Sequence, residues 1–379
     1  MRAKAKVHKV RSTMAPLCAQ VCIGNAAHLD MTGLTGMLDR NARIVVAGAG
    51  SIGCYVGGCL ALAGRRVTLL LRPNLAQDIA LHGLRISDFA ALDAVLPASA
   101  FDLSCDPEFA MAGAQVLLVT VKSGATAEMA SLIARYAPAD AIVASLQNGV
   151  GNVDALVAHL GAVRTIVAGM VPFNVVRSRR QGQVPHFHRA TSGTMLIAPG
   201  VAGLRDALDV VGAAVAEHPN MTEVQWGKLI LNLNNALNAL AGIPLAAELA
   251  DRRWRFLLAA QIDEALAVLK ATSIRPGVVE GVPPRVVPRI LRLPDWLFGL
   301  VARRMLAIDP QARSSMWEDL LRGRITEVDY LQGAILVLAK RIGVATPMTE
   351  RIVRLIKEAE KARTGSPGLQ PSEIAGTRA

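Results

Sequence analysis

Aromatic side chains, charged side chains and long apolar runs are all scarce in this sequence. Of its 379 residues, only 4% are aromatic and 19% are charged, whereas 52% are hydrophobic. We find no run of about 18 uncharged apolar residues, the length that a membrane-spanning helix needs. The apolar residues therefore predict buried cores, and the chain length predicts two domains. We expect a cytoplasmic protein with no membrane partner.

Cysteines are few, and their spacing matches no zinc site. The five are Cys18, Cys22, Cys54, Cys59 and Cys105. We interpret them as reduced and buried thiols in a cytosolic protein. His186 and His188 could suggest a metal or acid–base site, but no further ligands accompany them. We predict a structural role for both histidines and no metal.

Basic residues outnumber acidic ones, and the formal net charge is +11. Such a charge could attract nucleic acid. No DNA- or RNA-binding motif accompanies it, however, and aromatic residues for base stacking are scarce. A phosphorylated cofactor and an anionic acid explain the charge better. We therefore expect a small anionic partner, with nucleic acid as the minor alternative.

From Ala42 onward, apolar runs of strand length alternate with helical segments. The predicted strands are Arg43–Ala47, Val67–Leu71, Val116–Val121, Ala141–Leu146, Thr165–Met170 and Gly193–Ile197. A predicted helix from Gly50 to Gly64 separates the first two. This alternation is typical of an α/β fold with a mostly parallel, doubly wound sheet.

A glycine-rich motif, Gly48-Ala49-Gly50-Ser51-Ile52-Gly53, follows the first predicted strand and opens the helix. In this context the spacing is typical of a dinucleotide-binding Rossmann turn. Gly48 allows the tight turn, Gly50 lets a pyrophosphate approach the backbone, and Gly53 lets the helix pack close to the strand. The N–H groups at the helix N-terminus would bind the phosphates. We predict that all six residues line the cofactor site.

The second predicted strand ends without the acidic residue that an NAD enzyme would use to bind the ribose 2′-hydroxyl. The sequence there is Leu70-Leu71-Arg72-Pro73-Asn74. A carboxylate would repel a 2′-phosphate, whereas Arg72 can pair with one through two hydrogen bonds. The motif therefore favours NADPH/NADP+ as the cofactor, with a solvated loop arginine as the alternative interpretation of Arg72.

Composition and hydrophobic pattern divide the chain into four segments. We predict that residues 1–40 form a disordered extension. The alternatives are a targeting segment, or a true translation start at Met31 or Met37. Residues 41–219 form the predicted Rossmann domain. Residues 220–364 predict an all-α substrate and catalytic domain, interrupted by prolines between Pro276 and Pro294. Residues 365–379 are rich in Gly, Ser and Pro and predict a flexible tail.

The sequence from about Arg43 to Ala362 resembles the ketopantoate reductases (2-dehydropantoate 2-reductases). Five motifs in order carry the resemblance: Gly48-Ala49-Gly50-Ser51-Ile52-Gly53, Val119-Thr120-Val121-Lys122, Gln147-Asn148-Gly149-Val150-Gly151, Trp226-Gly227-Lys228-Leu229 with Asn232, and Ser314-Ser315-Met316 through Thr326-Glu327-Val328-Asp329-Tyr330. The resemblance implies NADPH-dependent reduction of 2-dehydropantoate to (R)-pantoate in pantothenate and coenzyme A biosynthesis. It also implies a Rossmann domain joined to a helical domain, with the active site in the cleft between.

The resemblance also implies a role for each motif residue. Lys228 would be the general acid, and Glu327 and Asn232 would hold the oxygen groups of the substrate. Ser315 would meet the substrate carboxylate. Asn148 and Lys122 would line the nicotinamide and substrate side of the cleft.

The residue chemistry supports these roles. Hydride transfer to a ketone builds negative charge on its oxygen, which a positioned cation or proton donor stabilises. Lys228, Asn232 and Asn235 are spaced to share one face of a helix predicted to run from Leu229 to Leu240. Unpaired polar groups on an apolar helix are costly, so a polar ligand would explain them. Asn234 and Asn238 could instead hydrogen-bond neighbouring helices. Lys122 and Asn148 follow apolar strands, at the strand ends where α/β proteins bind ligands.

Three departures from the family pattern leave the substrate open. Many members have asparagine where this chain has Ala236, and Asn-Gly where it has Gln332-Gly333. The stretch from Pro276 to Pro310 is also longer than in compact members. A reductase of another 2-keto acid and a non-catalytic NADPH-binding regulatory protein remain alternatives. The sequence does not determine the oligomeric state, and a homodimer stays open.

Overall fold

The computed structural model describes residues 38–162, 164–178, 183–278, 281–301 and 312–376. The predicted extension therefore lies outside the described residues, except for its last three. Of these, Leu38 donates its backbone N–H to the carbonyl of Ala202 at 3.2 Å. Part of the proline-interrupted stretch, residues 279–280 and 302–311, also lies outside.

The strands belong to the first half of the described chain, and helices dominate the second. The strands are β1 (Ile44–Ala47), β2 (Val67–Leu70), β3 (Leu84–Asp88), β4 (Asp93–Leu96), β5 (Asp102–Ser104), β6 (Val116–Val119), β7 (Ile142–Ser145), β8 (Ile166–Met170), β9 (Val175–Ser178), β10 (His186–Arg189), β11 (Met195–Ile197) and β12 (Val215–Glu217). The helices are α1 (Ser51–Leu62), α2 (Pro73–His82), α3 (Pro107–Met111), α4 (Thr126–Tyr136), α5 (Asn152–Leu160), α6 (Leu204–Leu208), α7 (Met221–Asn232), α8 (Asn234–Ala241), α9 (Leu245–Ala250), α10 (Arg252–Ala271), α11 (Val287–Leu291), α12 (Asp295–Val301), α13 (Ser315–Leu321), α14 (Gln332–Ile342), α15 (Pro347–Ala362) and α16 (Pro371–Ala375).

Eight strands form the main sheet, in the order β12-β11-β8-β7-β6-β1-β2-β5. All neighbouring pairs are parallel except β8 and β11. Ile44 of β1 pairs with Val67 on one side and Val116 on the other. The central strands are continuous apolar runs because helices cover both faces. β2 lies on one side of β1 and β6 on the other, so the strand order reverses at β1. Such a reversal places a ligand crevice at the carboxyl end of β1. The Rossmann-type fold predicted from the sequence is confirmed.

A second sheet, in the order β4-β3-β10-β9, was not predicted. Its strands are short, and one face packs against α1 through buried Ile86 and Phe187. On β10, one ring nitrogen of His186 and one of His188 lie 2.7 and 2.8 Å from the Ser87 hydroxyl oxygen. Within the described ranges, no group of three or more metal-ligating side chains could hold an ion. In the same ranges, no helix has both the length and the apolar character to cross a bilayer.

The helix predicted from Leu229 to Leu240 is instead two helices. α7 ends at Asn232, α8 begins at Asn234, and Leu233 stands at the break. The buried Gln332 side chain donates a hydrogen bond of 3.0 Å to the Leu233 carbonyl at this break. Asn235 therefore lies on a different helix from Lys228. Leu233 keeps helical dihedral angles (φ −59°, ψ −28°), and the shared face of Lys228, Asn232 and Asn235 stays a prediction.

The predicted flexible tail is also corrected, up to residue 376. It contains α16, whose Pro371 and Ile374 side chains are buried against the helical core. The Leu369 N–H donates to the Leu240 carbonyl at 2.9 Å. Gly, Ser and Pro dominate the local composition, but one buried isoleucine and the backbone contacts suffice to dock the segment.

Candidate active site

The glycine turn has the backbone geometry that the motif predicts. Gly48 has φ +83°, a left-handed conformation that other residues rarely adopt. A Cβ atom there would also lie 2.1 Å from Cγ1 of Val121. The Thr120 hydroxyl donates to the Gly48 carbonyl at 3.0 Å and fixes the turn. Gly48 thus places the end of β1 directly against the end of β6.

The remaining motif residues lead into the first turn of α1. Gly50 is the N-cap and offers no side-chain acceptor to the first-turn N–H groups, which leaves those groups for an anionic ligand. A Cβ atom on Gly50 would meet nothing within 4 Å, whereas one on Gly53 would lie 2.5 Å from the Thr120 hydroxyl oxygen. Ala49 is buried, and Ser51 and Ile52 are half-buried. The open space at Gly50 fits a pyrophosphate.

We expect the same substitution to affect stability at Gly53 and cofactor binding at Gly50. Gly53→Ala should lower the free energy of unfolding by about 1–3 kcal/mol, since the new methyl group overpacks the strand–helix contact. Gly50→Ala should leave unfolding unchanged but weaken NADPH binding on the order of tenfold, the effect of about one lost hydrogen bond to a charged group. Thermal unfolding and NADPH titration of both variants would test this. Equal destabilisation by both would contradict it.

Arg72 lies at the carboxyl end of β2, next to β1 in the sheet, and its side chain is exposed. Its backbone forms the N-cap of α2, with Pro73 as the first helical residue. The first acidic residue after β2 is Asp78, which lies 3.9 Å from Arg177. The position that binds a ribose hydroxyl in NAD enzymes thus carries a cation.

Lys122 follows β6 and forms an ion pair with the Asp319 carboxylate from the helical domain. The Asp319 side chain is buried. Burial raises the pKa of Asp319, and the Lys122 ammonium opposes that rise. The residues of this pair are 197 positions apart, so sequence spacing offered no signal for it.

A buried polar network holds the loops that follow β6 and β7. The Ser123 hydroxyl donates to the Asn148 carbonyl at 2.9 Å, and the Asn152 amide donates to the same carbonyl at 2.8 Å. The Gln147 amide donates to the Thr126 hydroxyl at 2.7 Å. The Asn148 side chain itself is half-buried. Because each buried polar group of the network has a hydrogen-bond partner, the network stabilises the conformation of both loops.

Glu327 approaches the same loops from the helical domain. Its Oε1 accepts a hydrogen bond of 3.2 Å from the Ser123 backbone N–H. Burial raises the pKa of Glu327; the Lys122 ammonium lowers it, and the Asp319 carboxylate raises it further. Gly149, with φ +84°, lets the loop approach the Tyr330 carbonyl, 3.2 Å from where a Cβ would stand. The structure thus joins Lys122, Asn148 and Glu327 at the junction of the domains.

Lys228 lies on α7 and also reaches the Rossmann domain. Its Nζ donates to the Pro172 carbonyl at 2.8 Å, in the loop after β8, and the side chain is half-buried. The neighbouring Trp226 is buried and anchors this turn of the helix. The carbonyl contact holds the ammonium at the edge of the helical domain that faces the sheet.

Asn232, Asn235 and Ser315 lie around the helix break and the start of α13. Both asparagines are half-buried, and Ser315 is exposed. The sequence analysis missed Ser314, which caps α13 by accepting the Trp317 N–H at 3.2 Å and donates to the Asn235 carbonyl at 2.9 Å. A serine directly before a helical run is a known N-cap signal and could have been recognised.

A Rossmann domain with its glycine turn, followed by a helical domain that carries a lysine and an acid at the junction, defines a two-domain dinucleotide-binding protein. Residues 44–200 match the family "Ketopantoate reductase PanE/ApbA", and residues 220–360 match its C-terminal domain. The chain belongs to this family, whose members are oxidoreductases that act on CH–OH groups with a nicotinamide cofactor. The resemblance inferred from the five motifs is confirmed.

Two curated relatives span almost their whole length in the alignment. The 2-dehydropantoate 2-reductase of Halobacterium salinarum is 28% identical over 328 residues, which cover 84% of this chain and 99% of the relative. The 2-dehydropantoate 2-reductase of Salmonella typhimurium is 27% identical over 339 residues, which cover 86% and 99%.

Solved structures support the same fold. A PanE/ApbA family ketopantoate reductase from Ralstonia eutropha superimposes with a TM-score of 0.69 at 29% identity, covering 85% of this chain and 99% of that one. A D-mandelate dehydrogenase in complex with NADH and anilino(oxo)acetate superimposes with a TM-score of 0.66 at 22% identity, with coverages of 85% and 99%.

Proposed function

We propose that this protein is a 2-dehydropantoate 2-reductase, which reduces ketopantoate to (R)-pantoate with NADPH in pantothenate and coenzyme A biosynthesis. One observation carries the proposal: Lys228 and Glu327 reach from the helical domain to loops at the carboxyl ends of the parallel strands, Lys228 to the loop after β8 and Glu327 to the loop after β6. A proton donor and a hydrogen-bonding acid thereby border the crevice that a dinucleotide would occupy. The named relatives in the same family support this substrate.

The glycine turn and Arg72 would hold the cofactor. The open space at Gly50 and the uncapped first turn of α1 fit a pyrophosphate, and the exposed Arg72 guanidinium fits a 2′-phosphate. NADPH, when bound, supplies the hydride for the substrate carbonyl. Lys122 and Asn148 would border the nicotinamide and substrate side, where the Asp319 contact holds Lys122 in place.

Lys228 would stabilise the negative charge that develops on the substrate oxygen and would transfer a proton from Nζ to it. The Pro172 carbonyl orients the ammonium before the substrate arrives. Glu327 and Asn232 would hold oxygen groups of the substrate, Ser315 would bind its carboxylate, and Asn235 would complete the polar lining. Asn148 would serve both ligands.

A reductase of a different 2-keto acid is the second candidate. Gln332 replaces the asparagine that many family members have, and its side chain holds the helix break beside Asn232. A change at that point alters the shape of the proposed substrate site. The D-mandelate dehydrogenase neighbour, solved with NADH and anilino(oxo)acetate, has the same fold and is named for a different 2-hydroxy acid.

The test is NADPH oxidation, followed by absorbance, with purified protein and a panel of 2-keto acids that includes ketopantoate, branched aliphatic acids and an aryl acid. We expect selective turnover of ketopantoate, and higher kcat/KM with NADPH than with NADH. Selective turnover of another acid would retain the reductase mechanism and replace the substrate. NADPH binding without turnover of any acid would contradict the enzyme and favour the regulatory alternative.

A further inference from the structure

A second carboxyl group, outside the proposed catalytic set, is buried in the helical domain. Glu248 on α9 is only 1% exposed. Its Oε2 accepts a hydrogen bond of 2.6 Å from the Asn238 amide, and the Asn234 side chain also hydrogen-bonds the carboxyl group. Burial raises the pKa of Glu248 to about 8, although the two amide contacts act to lower it. At neutral pH this carboxyl group is therefore mostly protonated.

None of the charged groups that the described residues place around α9 forms an ion pair with Glu248. From α10, the Arg255 guanidinium binds the carbonyls of Leu249 and Ala250 and the Asp295 carboxylate, and Arg253 pairs with Asp251. α8, which also packs on α9, has no charged residue. In the loop before α13, Arg313 lies over the Trp317 ring. Desolvation is thus the main influence on the Glu248 carboxyl group.

The groups that contact Glu248 offer a carboxylate no positive charge. Among the described residues, the Asn238 and Asn234 amides hydrogen-bond the carboxyl group, and no lysine, arginine or histidine forms an ion pair with it. A buried carboxylate without a cationic partner is costly, whereas a protonated carboxyl group has one O–H donor and still accepts from Asn238.

The network continues from Glu248 to the proposed substrate residues. Asn238 Oδ1 accepts the Ser314 backbone N–H at 2.9 Å. The Ser314 hydroxyl donates to the Asn235 carbonyl at 2.9 Å and caps α13, whose first residue is Ser315. The Asn238 and Ser314 side chains thus connect Glu248 to both Asn235 and Ser315.

We propose that Glu248 is a positioning residue whose neutral form holds Asn235 and Ser315, through Asn238 and Ser314, where they bind the substrate acid. This inference rests on the proposed function for the identity of those two ligands. Ionisation of Glu248 removes its O–H donor and leaves a buried charge, which is costly away from water. We expect α9 to shift so that water reaches the carboxylate, and this shift loosens the Ser314 contact.

The activity test compares the wild type with Glu248→Gln, whose amide is neutral at every pH and keeps one donor and one acceptor. Above pH 8 the KM for the substrate acid should rise about tenfold per pH unit in the wild type, since only the neutral fraction is competent. In Glu248→Gln that rise should be absent, and kcat should follow the same pH profile in both proteins. Glu217→Gln, an exposed acid at the end of β12, should behave as the wild type. Equal KM profiles in the wild type and Glu248→Gln would overturn the proposal.

A second measurement does not depend on turnover. Hydrogen exchange of the peptide that contains Ser314 should accelerate between pH 7 and pH 9 more in the wild type than in Glu248→Gln, after correction for intrinsic exchange. If no 2-keto acid is reduced but this difference is found, the proposed function fails and the neutral carboxyl network stands. If acids are reduced and the difference is absent, the network fails and the function stands. Glu248→Leu, which has no polar atoms to offer, should show fast exchange at both pH values.

Discussion

Replacing Lys228 with alanine is expected to lower kcat by about 10²–10⁴-fold, the range for loss of a positioned proton donor. The half-buried ammonium is held by the Pro172 carbonyl at the edge of the cleft, and its removal leaves the developing oxyanion without a cation. NADPH affinity should stay within about twofold of the wild type, since the glycine turn is unchanged. Steady-state kinetics and fluorescence titration of NADPH measure both quantities.

Lys270→Ala is the matched control for this substitution. Lys270 is an exposed lysine in the last turn of α10, and its removal should leave kcat unchanged. Turnover near the wild-type value in Lys228→Ala would remove this lysine from the mechanism. Loss of NADPH binding together with turnover would show instead that the substitution disturbs the domain junction.

Replacing Arg72 with glutamate is expected to reverse the cofactor preference. The guanidinium at the carboxyl end of β2 would lose its paired hydrogen bonds to the 2′-phosphate, and the new carboxylate would repel that phosphate. We expect KM for NADPH to rise about 10²-fold, which corresponds to the roughly 3 kcal/mol of a charge-assisted contact. KM for NADH should fall, because glutamate can accept from the ribose hydroxyl.

The control for this variant lies at the opposite end of the same strand. Arg66 is exposed and directly precedes β2, so Arg66→Glu makes the same charge change away from the crevice. Both cofactors should bind Arg66→Glu as they bind the wild type. If the ratio of the KM for NADPH to the KM for NADH is unchanged in Arg72→Glu, Arg72 does not bind the 2′-phosphate.

Local patterns in the sequence were sufficient for the central parallel strands of the Rossmann half, but not for its second sheet. Strand β1 is a run of four buried apolar residues, and it begins one residue after the predicted start. The glycine motif predicted a tight turn at Gly48 and close packing at Gly53; the structure shows a positive φ at Gly48 and close neighbours around Gly53. Periodicity and backbone sterics act over a few residues, so a linear sequence records them directly.

Contacts between distant segments were decided only by the tertiary structure. The Lys122–Asp319 pair and the Glu327 contact to Ser123 join two domains, and neither leaves a spacing pattern in the sequence. The Gln332 contact to Leu233, at the helix break, joins residues 99 positions apart, and Ile374 of the docked tail lies in the helical core.

The candidate site divides in the same way. Motifs named Lys228, Glu327 and the glycine turn as functional residues, because chemistry requires those residue types wherever they occur. Burial raises the pKa of Glu248 to about 8, and the tertiary structure buries the Asp319 side chain. Desolvation depends on the whole surrounding fold, so the protonation of a buried acid follows from the tertiary structure and not from its place in the chain.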